Sequence, residues 1–192
     1  MMKTLKLLTV IFLTTLLLSC SKNKEDEELY MEITPQYPMK TLLENGAMEL
    51  KGTKVNSPNT FELGYEFKTF KNGKITAFNV RIPDSEEIRV TLWDAETEEI
   101  IYTEYVQTTA DLISTIEINP INIISGKNYV ISLNTNDYYA FNDNGNQIFP
   151  IETNDVFILN YRVKMSTIQQ FPSFSSESSY LGVVDIKFVP NN

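Results

Sequence analysis

The sequence predicts an all-β protein: an antiparallel β-sandwich, jelly-roll-like, behind an N-terminal signal segment. Three observations carry this. Apolar residues recur at every second position over many short runs, the period of half-buried strands. Clusters of Asp, Asn, Gly, Pro and Ser separate those runs at short intervals, as turns require. A long 3.6-residue apolar pattern, a βαβ alternation, a glycine-rich phosphate loop and internal repeats are missing from the sequence. Its 192 residues suit one domain with a small extension.

Residues 1–19 read as a signal peptide. Lys3 and Lys6 make a basic start, and Leu7 to Leu18 form an uncharged apolar run. A bilayer-spanning helix needs about 20 apolar residues, so this run fits the core of an export signal better than a span. It ends in Leu17-Leu18-Ser19-Cys20, which resembles the lipobox of bacterial lipoproteins. The resemblance implies cleavage before Cys20, lipidation of that cysteine, and attachment to the outer membrane of a Gram-negative cell. Two or more acyl chains hold a protein stably on a bilayer, where one does not. Residues 20–28, Cys20-Ser-Lys-Asn-Lys-Glu-Asp-Glu-Glu28, hold no large apolar side chain after the cysteine. They read as a solvated acidic tether. An acidic cluster at this place is similar to surface-export signals of some lipoproteins, which implies a cell-exterior position; a plain spacer is the other reading.

Residues 29–56 are a lead-in, with an opening strand at Leu29–Thr34 and a short helical turn at Met39–Glu44. The sandwich proper is expected over 57–192. Phe61, Leu63, Tyr65 and Phe67 alternate with Glu62, Gly64, Glu66 and Lys68, a half-buried strand. Asn72-Gly73 follows as a hairpin signal. Phe78, Val80 and Ile82 make the next strand, then Ile88, Val90 and Leu92. Further strands are expected at 100–106, 112–118, 129–133, 156–163 and 183–189. Turns are expected at Pro83–Ser85, Asp94–Glu96, Asn119-Pro120, Ser125–Lys127 and Asn142–Asn146. The predicted core is Phe61, Leu63, Phe67, Phe78, Val80, Val90, Leu92, Tyr129, Ile131, Leu133, Ile158, Ile186 and Phe188.

From Ser57 onward the order of short pieces is itself informative. Leu63-Gly64-Tyr65-Glu66-Phe67 is followed by Gly73–Phe78, Val90–Trp93, Gly126–Ser132, Phe171-Pro172-Ser173, Ser178–Tyr180 and Val184–Phe188. In this order they resemble the bacterial domain of unknown function 4082. The resemblance implies a β-sandwich with ligand-binding or adhesive use, and brings no catalytic residues with it. The short acidic turn after Ile82 and the serine-rich loop before Ser178 depart from the pattern.

Composition excludes several chemistries. The chain has no histidine and one cysteine, so Ser-His-Asp and Cys-His nucleophiles, Cys/His zinc sites and an internal disulfide are all excluded. Sixteen basic residues against 25 acidic give net charge -9, the wrong sign for a nucleic-acid binder. No cofactor is expected. Glu96, Glu98 and Glu99 share one turn, whereas glycosidase carboxylates face each other across a cleft. Asn142-Asp143-Asn144-Gly145 lacks the ligand spacing of an EF-hand, so no metal site is assigned, though a structural calcium in such a loop stays open.

Two places carry ligand-binding candidates. Trp93 falls on the strand face opposite Ile88, Val90 and Leu92, so its indole is either an exposed platform or covered by a loop. Residues 134–149 mix amides and aromatics densely. Tyr138, Tyr139, Phe141, Asn142, Asp143, Asn144 and Asn146 offer flat faces with hydrogen-bonding tips, and Asn144-Gly145 supplies a turn. The alternative there is a hairpin with half-buried tyrosines. The expected function is a surface-anchored, non-catalytic binding or adhesion module, with a neutral glycan or a protein as ligand and the membrane as partner through Cys20. A structural accessory subunit of an envelope complex is the alternative, and a carboxylate-based glycan-processing enzyme a more distant one.

Overall fold

The computed structural model describes residues 33–45, 52–142 and 147–192. The signal segment, Cys20, the tether, and Asp143, Asn144 and Asn146 lie outside these. The helical turn expected in the lead-in is α1, Pro38–Glu44. It begins with proline, whose missing N–H costs nothing in a first turn. Met39, Leu42 and Leu43 are buried and belong to the main core.

Eleven strands follow among the described residues: β1 Thr53–Thr69, β2 Gly73–Val80, β3 Glu87–Asp94, β4 Ile100–Gln107, β5 Ser114–Ile123, β6 Tyr129–Asn142, β7 Ile151–Thr153, β8 Val156–Met165, β9 Phe174–Ser176, β10 Ser179–Leu181 and β11 Val184–Pro190. They form two antiparallel sheets. The large sheet runs β4-β3-β6-β1-β8-β7, with β10 on β6 and β9 on β8, and the small sheet runs β11-β2-β5. The fold is a sandwich, as the alternation predicted, and every pairing is antiparallel.

The core lies between the sheets. From the large sheet come Leu63, Tyr65, Phe67, Ile88, Val90, Leu92, Ile131, Leu133 and Ile158; from the small sheet come Ile75, Phe78, Val80, Ile186 and Phe188. Of the predicted core residues only Phe61 is partly buried, packed against the cluster rather than inside it. Burying such side chains stabilises by about 1.5–3 kcal/mol each.

Several local expectations are corrected. Asn72-Gly73 makes no β1–β2 hairpin: β1 pairs β6 and β8, whereas β2 pairs β11 and β5. The chain crosses between sheets there. Gly73 is required by close approach instead, since a Cβ would lie 2.5 Å from the Phe188 ring and the Val189 carbonyl. The strand expected at 112–118 starts later, at Ser114. Asp111 takes φ 63°, and Leu112 and Ile113 stay 60 % and 57 % exposed. Asn119-Pro120 is not a turn but part of β5. The register against β2 shifts between Ile75 and Ala77, and a bulge on an edge strand is where proline is tolerated. Finally β6 runs on to Asn142, so the expected loop end at 134–142 is strand.

Candidate functional site

The aromatic candidates are packed. Trp93 is 3 % exposed. Its Nε1–H donates to Ser132 Oγ at 2.9 Å, and the Phe171 ring meets it edge-on at 5.8 Å. Of the two readings of Trp93, the tryptophan covered by a loop is the one found, and the exposed platform is not. Tyr138, Tyr139 and Phe141 are buried in the main core, because β6 continues and β10 pairs over Phe141. Tyr138 meets Phe61 edge-on and Phe141 stacks toward Tyr180. The Tyr139 hydroxyl donates to Asp111. Burial, with that bond, raises its pKa to about 12. Asn142 ends β6. Sequence alternation marked these rings as aromatic but not as covered.

The outer face of the large sheet is where Trp93 sits, and it is mostly polar apart from a small apolar cluster of Trp93, Val130 and Phe171. Pairing register sets three rows across the strands. The first holds Lys164, Glu62, Asn134 and Arg89; the second Arg162, Gly64, Ser132, Thr91 and Thr103; the third Asn160, Glu66, Val130 and Trp93. Glu62 is 0 % exposed. It accepts from Arg89 and, at 2.9 Å, from Ser132 Oγ–H. Burial still holds its carboxyl above the usual range, against the lowering by Arg89. Glu66 accepts from Arg162, from Asn128 Nδ2 at 2.9 Å and from Asn160 Nδ2 at 3.1 Å. A segment without strand structure, residues 166–173, lies over these rows.

An open concavity lies elsewhere, between α1 and the small sheet. It measures about 320 Å³, within the span of about 300–1,000 Å³ usual for small-ligand sites. Tyr37, Lys40, Leu43 and Glu44 form the helical wall, and Asn79, Val80 and Arg81 the end of β2. Ile113 and Thr115 close one side at the start of β5, and Val183 and Asp185 the floor. Thr115 Oγ1 donates to Asn79 Oδ1 at 2.7 Å, which leaves the amide NH2 as the end that can meet a ligand. Arg81 lies over the Tyr139 ring at 4.8 Å and donates through Nε to the Asp111 carbonyl at 2.9 Å. Tyr139 thus enters the site indirectly, as the surface that positions Arg81.

Asp185 builds the helical wall. α1 has no side-chain cap of its own. Asp185 supplies one from 146 positions away, accepting from the Met39 N–H at 3.0 Å and the Lys40 N–H at 2.9 Å. Tyr65 Oη–H and the Ile186 N–H donate to it as well. Burial pushes its carboxyl up to about 7, and these donors pull the other way. Lys40 pairs with Glu44 at 3.7 Å, while Arg81 is held by a backbone carbonyl and an aromatic ring. The cleft can hold a compact ligand with an apolar side and hydroxyl or amide groups at the rim.

Sequence reading missed Glu62, Glu66, Arg89, Arg162, Asp185 and the whole cleft. The available signal was the pair of acids two places either side of Gly64 on a strand expected to be central. Among the described residues no group of three or more Asp, Glu or Cys is placed to hold a metal.

No curated protein matches the chain. The sequence model of the family described as Domain of unknown function (DUF4082) matches residues 49–181. That stretch runs from just before β1 through β10 and takes in most of both sheets, so this chain belongs to the DUF4082 family.

Proposed function

We propose that the chain is a lipid-anchored, cell-surface binding module without catalytic activity, which holds a neutral glycan or a protein segment in the cleft between α1 and the small sheet. The cleft is the observation that carries this reading. Its walls combine apolar side chains with an amide and a hydroxyl, and its lysine is paired with a glutamate. That chemistry favours a neutral, hydrogen-bonding ligand over a polyanion, as does the net charge of -9. The two buried acids of β1 do not favour hydrolysis. Glu62 and Glu66 stand four residues apart on one face of a single strand rather than across a cleft from each other, and each is held by an arginine.

Two experiments test the reading. A glycan array followed by calorimetry is expected to find a ligand whose affinity falls about tenfold in Asn79→Ala and in Ile113→Asp. Equal affinity in both variants would remove the cleft from the proposal. For the anchor, Cys20→Ala is expected to abolish incorporation of labelled palmitate and partition into detergent; incorporation that persists would refute it. The accessory-subunit reading is favoured by one feature, the exposed Ile100, Ile101 and Tyr105 on edge strand β4. Cross-linking at β4 in intact cells distinguishes the two.

A further inference from the structure

The outer face of the large sheet has the composition of a ligand-binding surface and the burial of a core. Glu62, Thr91 and Ser132 are fully buried and Glu66 nearly so. Well-packed apolar residues usually stabilise as much as or more than a buried ion pair, so stability alone does not call for two such pairs and an indole here. The cover is the strap at 166–173, and its contacts are those of a bound ligand. The Gln169 amide donates to Thr91 Oγ1 at 3.0 Å and Thr103 Oγ1 at 2.7 Å. Phe171 takes the place against Trp93, and the Arg162 guanidinium lies 5.9 Å from its ring. The strap adds no strand to the sheet, and Ile168 at its middle is 68 % exposed. The absence of a ladder and the exposed middle lower the energy needed to open this segment, and the burial of Phe171 against Trp93 and Val130 is the contact that holds it down.

We propose that this face is a second binding surface, that the strap occupies it as an internal stand-in, and that a neutral linear oligosaccharide displaces the strap to bind along the rows. Neutrality follows from pairing: Glu62 is matched by Arg89 and Glu66 by Arg162. Serine and threonine hydroxyls, amides and carboxylates offer donors and acceptors together, and the indole offers a face for a sugar ring. The strap lowers the competent fraction, so the apparent affinity is weaker than the intrinsic one by that fraction. The inference shares the neutral-ligand chemistry of the binding-module reading but uses a different surface.

Trp93 is the one tryptophan of the chain, so its emission reports this face alone. The full chain, Phe171→Ala and Gln169→Ala are titrated with maltohexaose, cellohexaose and mannohexaose, with circular dichroism confirming the fold and acrylamide quenching measuring access to the indole. We expect a saturable change in Trp93 emission with at least one sugar. Quenching should rise in both variants, and the apparent Kd should fall about tenfold in Phe171→Ala. Gln169→Ala keeps the Phe171 contact and carries the test if Phe171→Ala does not fold. Unchanged quenching in the folded variants shows that the strap does not open, and overturns the proposal. So does increased quenching with no emission response to any of the three sugars. The cleft variant Asn79→Ala is expected to keep the Trp93 response. If it loses that response, the sugar binds in the cleft and the second surface falls, whereas a kept response with no calorimetric effect of Asn79→Ala removes the cleft and leaves this face.

Discussion

On the inner side of β1, Leu63, Tyr65 and Phe67 pack among the rings and branched chains of both sheets. On its outer side Glu62, Gly64 and Glu66 are shut from solvent just as fully, yet two of them carry charge. The inner row is covered by another sheet, and its contacts are dense and non-directional. The outer row is covered by a single strap, and its members depend on named partners: Arg89, Arg162, Ser132, Asn128 and Asn160. Equal burial therefore conceals unequal energetics. An apolar residue in the inner row stabilises through the area it removes from water. A charge in the outer row stabilises only while its partner is present.

The largest effect separates the rows most sharply. Arg89→Ala strands a fully buried carboxylate, and we expect it to cost about 3–5 kcal/mol in urea unfolding. The double change Glu62→Met with Arg89→Met is expected to return stability to within about 1 kcal/mol of wild type or above it. A double variant as unstable as the single would show that the pair itself, not the orphaned charge, is the stabilising element.

The inner row answers differently. Ile131→Ala, in the same strand as Ser132 but facing the other sheet, is expected to cost about 2–5 kcal/mol through lost transfer energy and the cavity left behind. No second substitution on a neighbouring strand should restore it without refilling the volume. Measured costs below about 1 kcal/mol would mean that the two sheets collapse freely around the gap.

The smallest effect is in pH. Asp185 has its carboxyl raised to about 7 by burial, and Glu62 is raised in the same direction. In the unfolded chain both titrate near the ordinary carboxylate range, about 4. Between that value and the folded one the native state holds more protons, so stability falls as pH rises through this window. Asp94 and Asp111 are lowered, by Lys127 and Lys54 in the first place, and act only at more acid pH with the opposite sign. Denaturant midpoints are expected to drop between about pH 5 and about pH 7, at most about 1.4 kcal/mol per unit for one group. Asp185→Asn should flatten the slope; an unchanged slope would assign it to other groups.

Much of the sandwich was legible because strand period and turn chemistry are local. Phe61 to Phe67, Ile88 to Leu92 and Tyr129 to Leu133 declare their inner faces by alternation alone. The Asn72-Gly73 hairpin was misread because a turn signal states that the chain bends, not which strand it then pairs with. Proline in β5 was misread as a turn because the bulge that tolerates it exists only against β2. Tyr138 and Tyr139 looked like site residues because aromatic, amide-rich sequence is common to exposed hairpins and to long strands whose neighbours come from afar.

The sequence by itself determined the all-β class, the location of eight strands though not the full extent of β1 and β6 nor the short β7, β9 and β10, and which side chains of those eight share a face. It also determined what chemistry is missing, since no fold can supply a histidine. Only the tertiary structure decided whether the second face of each strand is wet or covered. That depends on segments such as 166–173 and α1, which lie far along the chain from what they meet: 78 positions from Gln169 to Thr91 and 146 from Met39 to Asp185. Asp185 shows the reason most plainly: read in sequence it is one acid in an alternating strand, and it becomes the cap of α1 and the floor of a cleft only because β11 carries it to Met39 and Lys40. Alternation encodes the sides of a strand relative to each other, and burial is a property of what arrives from elsewhere.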